Sequence, residues 1–122
     1  MLFSFFTHSY VISFAKAYLL AVFVELLVFY PFVAKRIRFL KASVAVCFVN
    51  AVSLPVVWFL MPLMFDSYWA YACSAELFAV LSEAIMLSVL LPLSKRRLLV
   101  ASVTMNMVSF LVGLMFPSLI AP

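Results

Sequence analysis

Glutamate is the residue type in this chain whose placement could do chemistry. Glu25 and Glu83 each interrupt a long apolar run, where a carboxyl group can carry a proton or coordinate a cation. Asn50 and Asn106 interrupt two further apolar runs and supply neutral hydrogen-bonding partners. Depth can be counted along a helix from the nearest basic residue. Glu25 is ten residues from Lys35, Asn50 nine from Lys41 and Asn106 nine from Arg97, which is roughly 14–15 Å in each case. Glu83 is twelve residues from Lys95, at roughly 18 Å. One polar residue per segment therefore falls in a single layer. Three uses fit such a layer. It can be a proton or ion site, with Glu25 and Glu83 as the titratable groups. It can be interhelical glue, worth about 0.6–2 kcal/mol per contact. It can also contact another subunit.

A second layer holds Lys16 and Glu76. Each is nineteen residues from a basic residue, Lys35 or Lys95, and so roughly 28 Å away along the helix. A Lys16–Glu76 salt bridge is plausible there, although either side chain can snorkel to water. Glu76 and Glu83, seven apart, share a helix face. Ser109 and Gly113 form a small-xxx-small pair that permits close helix approach, and Ala17, Ala21 and Glu25 align similarly. Pro31, Pro55, Pro92 and Pro117 can kink or end helices, and Pro55 frees a backbone carbonyl beside Asn50.

Other chemistry is thinly supplied. His8 is the single histidine, so neither a Ser-His-Asp set nor a His-Glu metal motif can be assembled. Gly113 is the single glycine, which excludes Gly-rich phosphate loops. Cys47 and Cys73 lie at different depths and are not expected to form a disulfide. We expect no enzyme, no cofactor and no metal site.

The elements that must position the polar layer follow from composition. Of 122 residues, 70% are hydrophobic and only 10% charged, too few charges to cover a water-facing surface. A soluble domain, a disordered chain and a disulfide scaffold are excluded. The net charge of +4 is read as setting membrane orientation, and no nucleic-acid partner is expected. No segment shows the alternation of a barrel strand. Two charge-free runs, and two more with one carboxyl each, are long enough to cross a bilayer. The expected fold is an all-α polytopic membrane protein, a four-transmembrane-helix bundle in one domain over 1–122. Its spans lie near 11–34, 42–64, 72–93 and 98–119.

The first and third connections hold seven of the eight Lys and Arg residues, the exception being Lys16. The positive-inside rule puts these connections in the cytoplasm and both termini outside. Phe5, Phe6, Trp58 and the aromatics of Asp66–Tyr71 suit a membrane–water interface. Met1–Ser9 has no positive n-region, so the first span reads as retained and not as a cleaved signal.

The two halves echo each other. Each runs from glutamate through a basic turn and Ala-Ser-Val (residues 42–44 and 101–103) to Asn with Ser three later. The arginine-to-asparagine spacing is 12 in one half and 9 in the other, a slip of three residues. A true duplication would make two tandem hairpins, parallel repeats about an axis along the membrane normal. The stretch Asn50-Ala51-Val52-Ser53-Leu54-Pro55, the pair Glu76 and Glu83, and Asn106-x-x-Ser109-x-x-x-Gly113 together resemble a family of small four-span prokaryotic membrane proteins of unassigned function. The resemblance covers roughly residues 20–115. It implies an integral protein of the prokaryotic inner membrane and carries no activity. Two functions are expected to compete. One is an accessory or structural subunit that packs with other membrane chains or itself. The other is a small transporter or proton or ion conduit built on Glu25 and Glu83.

Overall fold

The computed structural model describes residues 7–122, so Phe5 and Phe6 lie outside the described residues. It is an all-α bundle of four helices, each long and apolar enough to cross a membrane. Helix α1 spans His8–Val33, α2 Phe39–Pro55, α3 Tyr68–Leu90 and α4 Lys95–Met115, and the second membrane-length helix is α2 with its continuation to Leu63. Three helices begin several residues before the apolar runs do, because a polar residue caps each of them. The side chains of Thr7, Ser67 and Ser94 accept from the backbone N–H of Tyr10, Ala70 and Arg97, which satisfies a donor the helix leaves open. Hydropathy counting does not see such caps.

Short turns make consecutive helices antiparallel neighbours. Helix α1 packs on α2 and α4, and α3 packs on the same two, so the four form a closed square in chain order. Both basic turns lie at one end and the C-terminus at the other.

The core divides sharply between these ends. Toward the basic turns it is closed by bulky apolar side chains, with Phe29, Val46, Val49, Leu87, Leu98 and Met105 all fully buried. Toward the termini the buried positions are Ala21, Ala72, Ala75, Ala79 and Met61. Alanines bury little volume and do not fill the space between four helices.

Pro55 shapes the termini end of α2. It has no N–H to continue the ladder, and beyond it the chain widens into a π-helical turn, Val56–Leu60, followed by a 3-10 turn, Met61–Leu63. Carbonyls released in such a turn are costly in hydrocarbon unless something donates to them. Tyrosines do so. The Tyr71 hydroxyl donates to the Val57 carbonyl at 2.9 Å and the Tyr10 hydroxyl to the Trp58 carbonyl at 2.6 Å. One helix on each side of α2 thus holds the turn open. A third tyrosine, Tyr18, donates to the Cys47 carbonyl at 2.9 Å.

Replacing Tyr71 by Phe keeps the ring and strands the Val57 carbonyl. We expect Tyr71→Phe to lower stability by about 1–2 kcal/mol, read from reversible unfolding in mixed micelles. An unchanged unfolding curve would mean that the tyrosine does not hold the turn.

Candidate functional site

Glu25, Asn50, Glu83 and Asn106 come from four different helices and all are buried, at 2%, 0%, 1% and 4% exposure. The structure brings them together as two pairs. Asn50 Nδ2 donates to Glu25 Oε2 at 2.6 Å, and Asn106 Nδ2 donates to Glu83 Oε2 at 2.8 Å. Each asparagine also donates to the carbonyl four residues earlier on its own helix, Val46 at 3.0 Å and Ser102 at 2.9 Å. That second bond fixes the amide and presents its remaining N–H to the carboxylate.

Serines link the two pairs. The Ser53 hydroxyl, on α2, donates to Glu83 Oε1 on α3 at 2.7 Å. Ser109, on α4, lies beside the Glu25 carboxyl on α1. Each glutamate therefore accepts from the asparagine of its own hairpin and has the serine of the other hairpin beside it, hydrogen-bonded in the case of Glu83. Hydrogen bonds run α1–α2, α2–α3 and α3–α4, and Ser109 of α4 lies beside Glu25 of α1, so a ring of polar side chains surrounds the bundle axis. One valence of the ring is open: Asn50 Oδ1 is buried without a hydrogen-bond partner.

The sequence reasoning singled out the carboxylates and asparagines but left Ser53 and Ser109 out of the site. The signal for them was the shared Asn-x-x-Ser spacing. The halves can be overlaid in two registers. The Ala-Ser-Val identity aligns 42–44 with 101–103, a shift of 59 residues. The buried faces align at a shift of 56, which carries Ala45, Val46, Val49 and Asn50 onto Ala101, Ser102, Met105 and Asn106, and buried Ser53 onto half-buried Ser109. Ser43 folds back on its own helix, donating to the Phe39 carbonyl, whereas Ser102 is buried and donates to the Val80 carbonyl on α3. The two serines of the apparent match thus occupy different environments.

Three further expectations concern the termini end. Lys16 and Glu76 share a depth, but no salt bridge joins them. Lys16 Nζ donates to the Ala121 carbonyl at 2.7 Å, and Glu76 Oε2 is buried with no hydrogen-bond partner. Equal depth leaves the direction around each helix open. Gly113 does not mark a close helix approach: a Cβ built on it meets nothing within 4 Å. It lines a cavity of about 390 Å³ that also touches Glu76 and Ser109. The cavity occupies the half of the bundle cored by alanines. His8 is exposed at the start of α1, and both cysteines are free. Among the described residues no cluster of three metal-ligating side chains occurs.

The ring makes a graded prediction. Glu83→Gln keeps an acceptor for Asn106, and its amide N–H can donate to the Ser53 hydroxyl, so it should cost under about 1 kcal/mol. Glu83→Leu leaves both donors facing hydrocarbon, and it should cost about 1–3 kcal/mol. Thermal unfolding in detergent measures both; equal losses in the two variants would mean that Glu83 does not hold the helices through these bonds.

No protein-family model, curated protein or solved structure matches this chain.

Proposed function

We propose that this chain is a small integral membrane subunit, an accessory or structural module that packs within a larger membrane complex or with copies of itself. The observation that carries this reading is the polar ring. Both midplane carboxylates are taken up by side chains of neighbouring helices, which is how buried polar groups act as glue and set helix register. The apolar core between the ring and the basic turns gives the module a rigid half.

The module sits in the inner membrane of a prokaryote, with the basic turns in the cytoplasm and both termini outside. The Lys and Arg bias of the turns supports that orientation. The chain is two copies of one hairpin, a reading supported by the matching burial at a shift of 56 residues between α2 and α4. A shift of 58 residues carries Ala21, Glu25 and Phe29 of α1 onto Ala79, Glu83 and Leu87 of α3.

A second reading, a small transporter or proton or ion conduit, is favoured by one observation. The cavity reaches Ser109 and thus adjoins the serine that lies beside one midplane carboxylate, Glu25.

Purification in mild detergent followed by mass spectrometry tests the first reading. We expect the chain in fixed ratio with larger membrane proteins or as a defined homo-oligomer; recovery as a lone monomer would overturn it. Proteoliposomes test the second. We expect no proton or cation flux from the wild type, and flux that vanishes in a folded Glu83→Gln protein would replace the first reading by the second. Topology is checked with cysteines introduced beside Arg38 and Arg97 in a chain lacking Cys47 and Cys73. Neither should react with an impermeant reagent in intact cells, and reaction of either would refute the orientation.

A further inference from the structure

The cavity at the termini end has a chemistry that the ring does not use. Its volume, about 390 Å³, lies in the range that holds small ligands. Its walls carry the rings of Tyr10, Trp58, Tyr68 and Tyr71, and one carboxylate, Glu76. We propose that this cavity binds a small organic ammonium ion, its charge facing Glu76 and its carbon groups packed against the four aromatic rings.

Charge comes first. Glu76 Oε2 is buried and no protein group donates to it. The basic side chain nearest that depth, Lys16, is occupied with the Ala121 carbonyl. The other seven Lys and Arg residues belong to the turns at the opposite end. A buried carboxylate oxygen left in this state favours a positive guest over a neutral or negative one.

The surroundings then select the type of cation. A hard metal ion asks for several oxygen ligands, whereas this cavity offers aromatic faces around a single carboxylate. Aromatic faces attract cations through the ring quadrupole, and quaternary ammonium groups are recognised in this way. The rings are held in place. Tyr10 and Tyr71 are tied by their hydroxyls to the carbonyls of the π turn, so their orientation does not have to be set by the guest. Tyr10 and Trp58 meet at 5.3 Å between centroids with planes at 56°, and Tyr68 and Tyr71 at 6.5 Å and 56°. Space is supplied by small residues, with Ala17, Ala21, Ala72, Ala75 and Gly113 on the wall. The site stands on this cavity alone and is independent of whether the chain is a subunit or a conduit.

Benzyltrimethylammonium and its neutral isostere neopentylbenzene separate charge from shape. Trp69→Phe leaves Trp58 as the only indole, so the fluorescence of that variant in detergent reports on the cavity. We expect saturable binding of the ammonium ion and binding of the neutral compound weaker by about tenfold or more. Glu76→Gln, with its thermal unfolding unchanged, should weaken the ammonium ion by a similar factor and leave the neutral compound unaffected. Gly113→Leu, which fills open space, should abolish the signal from both. Equal affinity for the two compounds, or no saturable response to the ammonium ion, overturns the proposal without recourse to any cavity variant. Undiminished ammonium binding in folded Glu76→Gln overturns it as well.

Discussion

In hydrocarbon there is no water to complete a hydrogen bond, so a polar group must find its partner in the chain. Glu25 and Glu83 place that demand at the middle of the bundle, and the helix arrangement answers it. A carboxylate on α1 draws in α2 through Asn50 and has Ser109 of α4 beside it. A carboxylate on α3 draws in α2 through Ser53 and α4 through Asn106. With the short turns that join consecutive helices, these contacts leave one square order. The same demand recurs at the π turn, where the carbonyls of Val57 and Trp58 are met by tyrosine hydroxyls of the flanking helices. Bilayer chemistry, more than apolar packing alone, thus determines which helix faces which.

Much of this was legible in the sequence, because depth is a one-dimensional quantity. Residue counting from the basic turns put Glu25, Asn50, Glu83 and Asn106 in one layer, and they do meet. Direction around each helix was not legible by the same means. Lys16 and Glu76 share a depth and do not pair, since rotation about the helix axis decides contact. Ser53 and Ser109 were overlooked because serine is common in apolar helices and its hydroxyl often folds back on its own backbone, as Ser43 and Ser88 do. Gly113 was read by its smallness, which serves close approach and open space equally well.

The two helix pairs bury different patterns. On α1 and α3 the buried positions recur every four residues, as Ala21, Glu25, Phe29 and Val33 and as Ala75, Ala79, Glu83 and Leu87. On α2 and α4 they follow alternating spacings, as Ala45, Val46, Val49 and Asn50 and as Ala101, Ser102, Met105 and Asn106. Neither pattern stands out in the hydropathy of the sequence, because the lipid-facing positions are also apolar. What distinguishes inside from outside here is residue size and polarity at fixed spacing. That is also why the Ala-Ser-Val identity and the burial pattern overlay α2 and α4 in different registers.

The division of the core into a filled half and a hollow half has an electrical consequence. Between the ring and the basic turns the axis is blocked by Phe29, Leu87, Leu98 and Met105, with 0% exposure each. A membrane voltage falls where the material is least polarisable, and here that is the filled half. The hollow half, with its cavity of about 390 Å³, has room for water. A charge resting there would have crossed only a small part of the field, so its occupancy would respond weakly to voltage. Crossing the filled half would take the larger share of about 2.3 kcal/mol per elementary charge at 100 mV, in addition to the loss of hydration. The bundle is thereby built as an insulator on one side and a recess with room for water on the other.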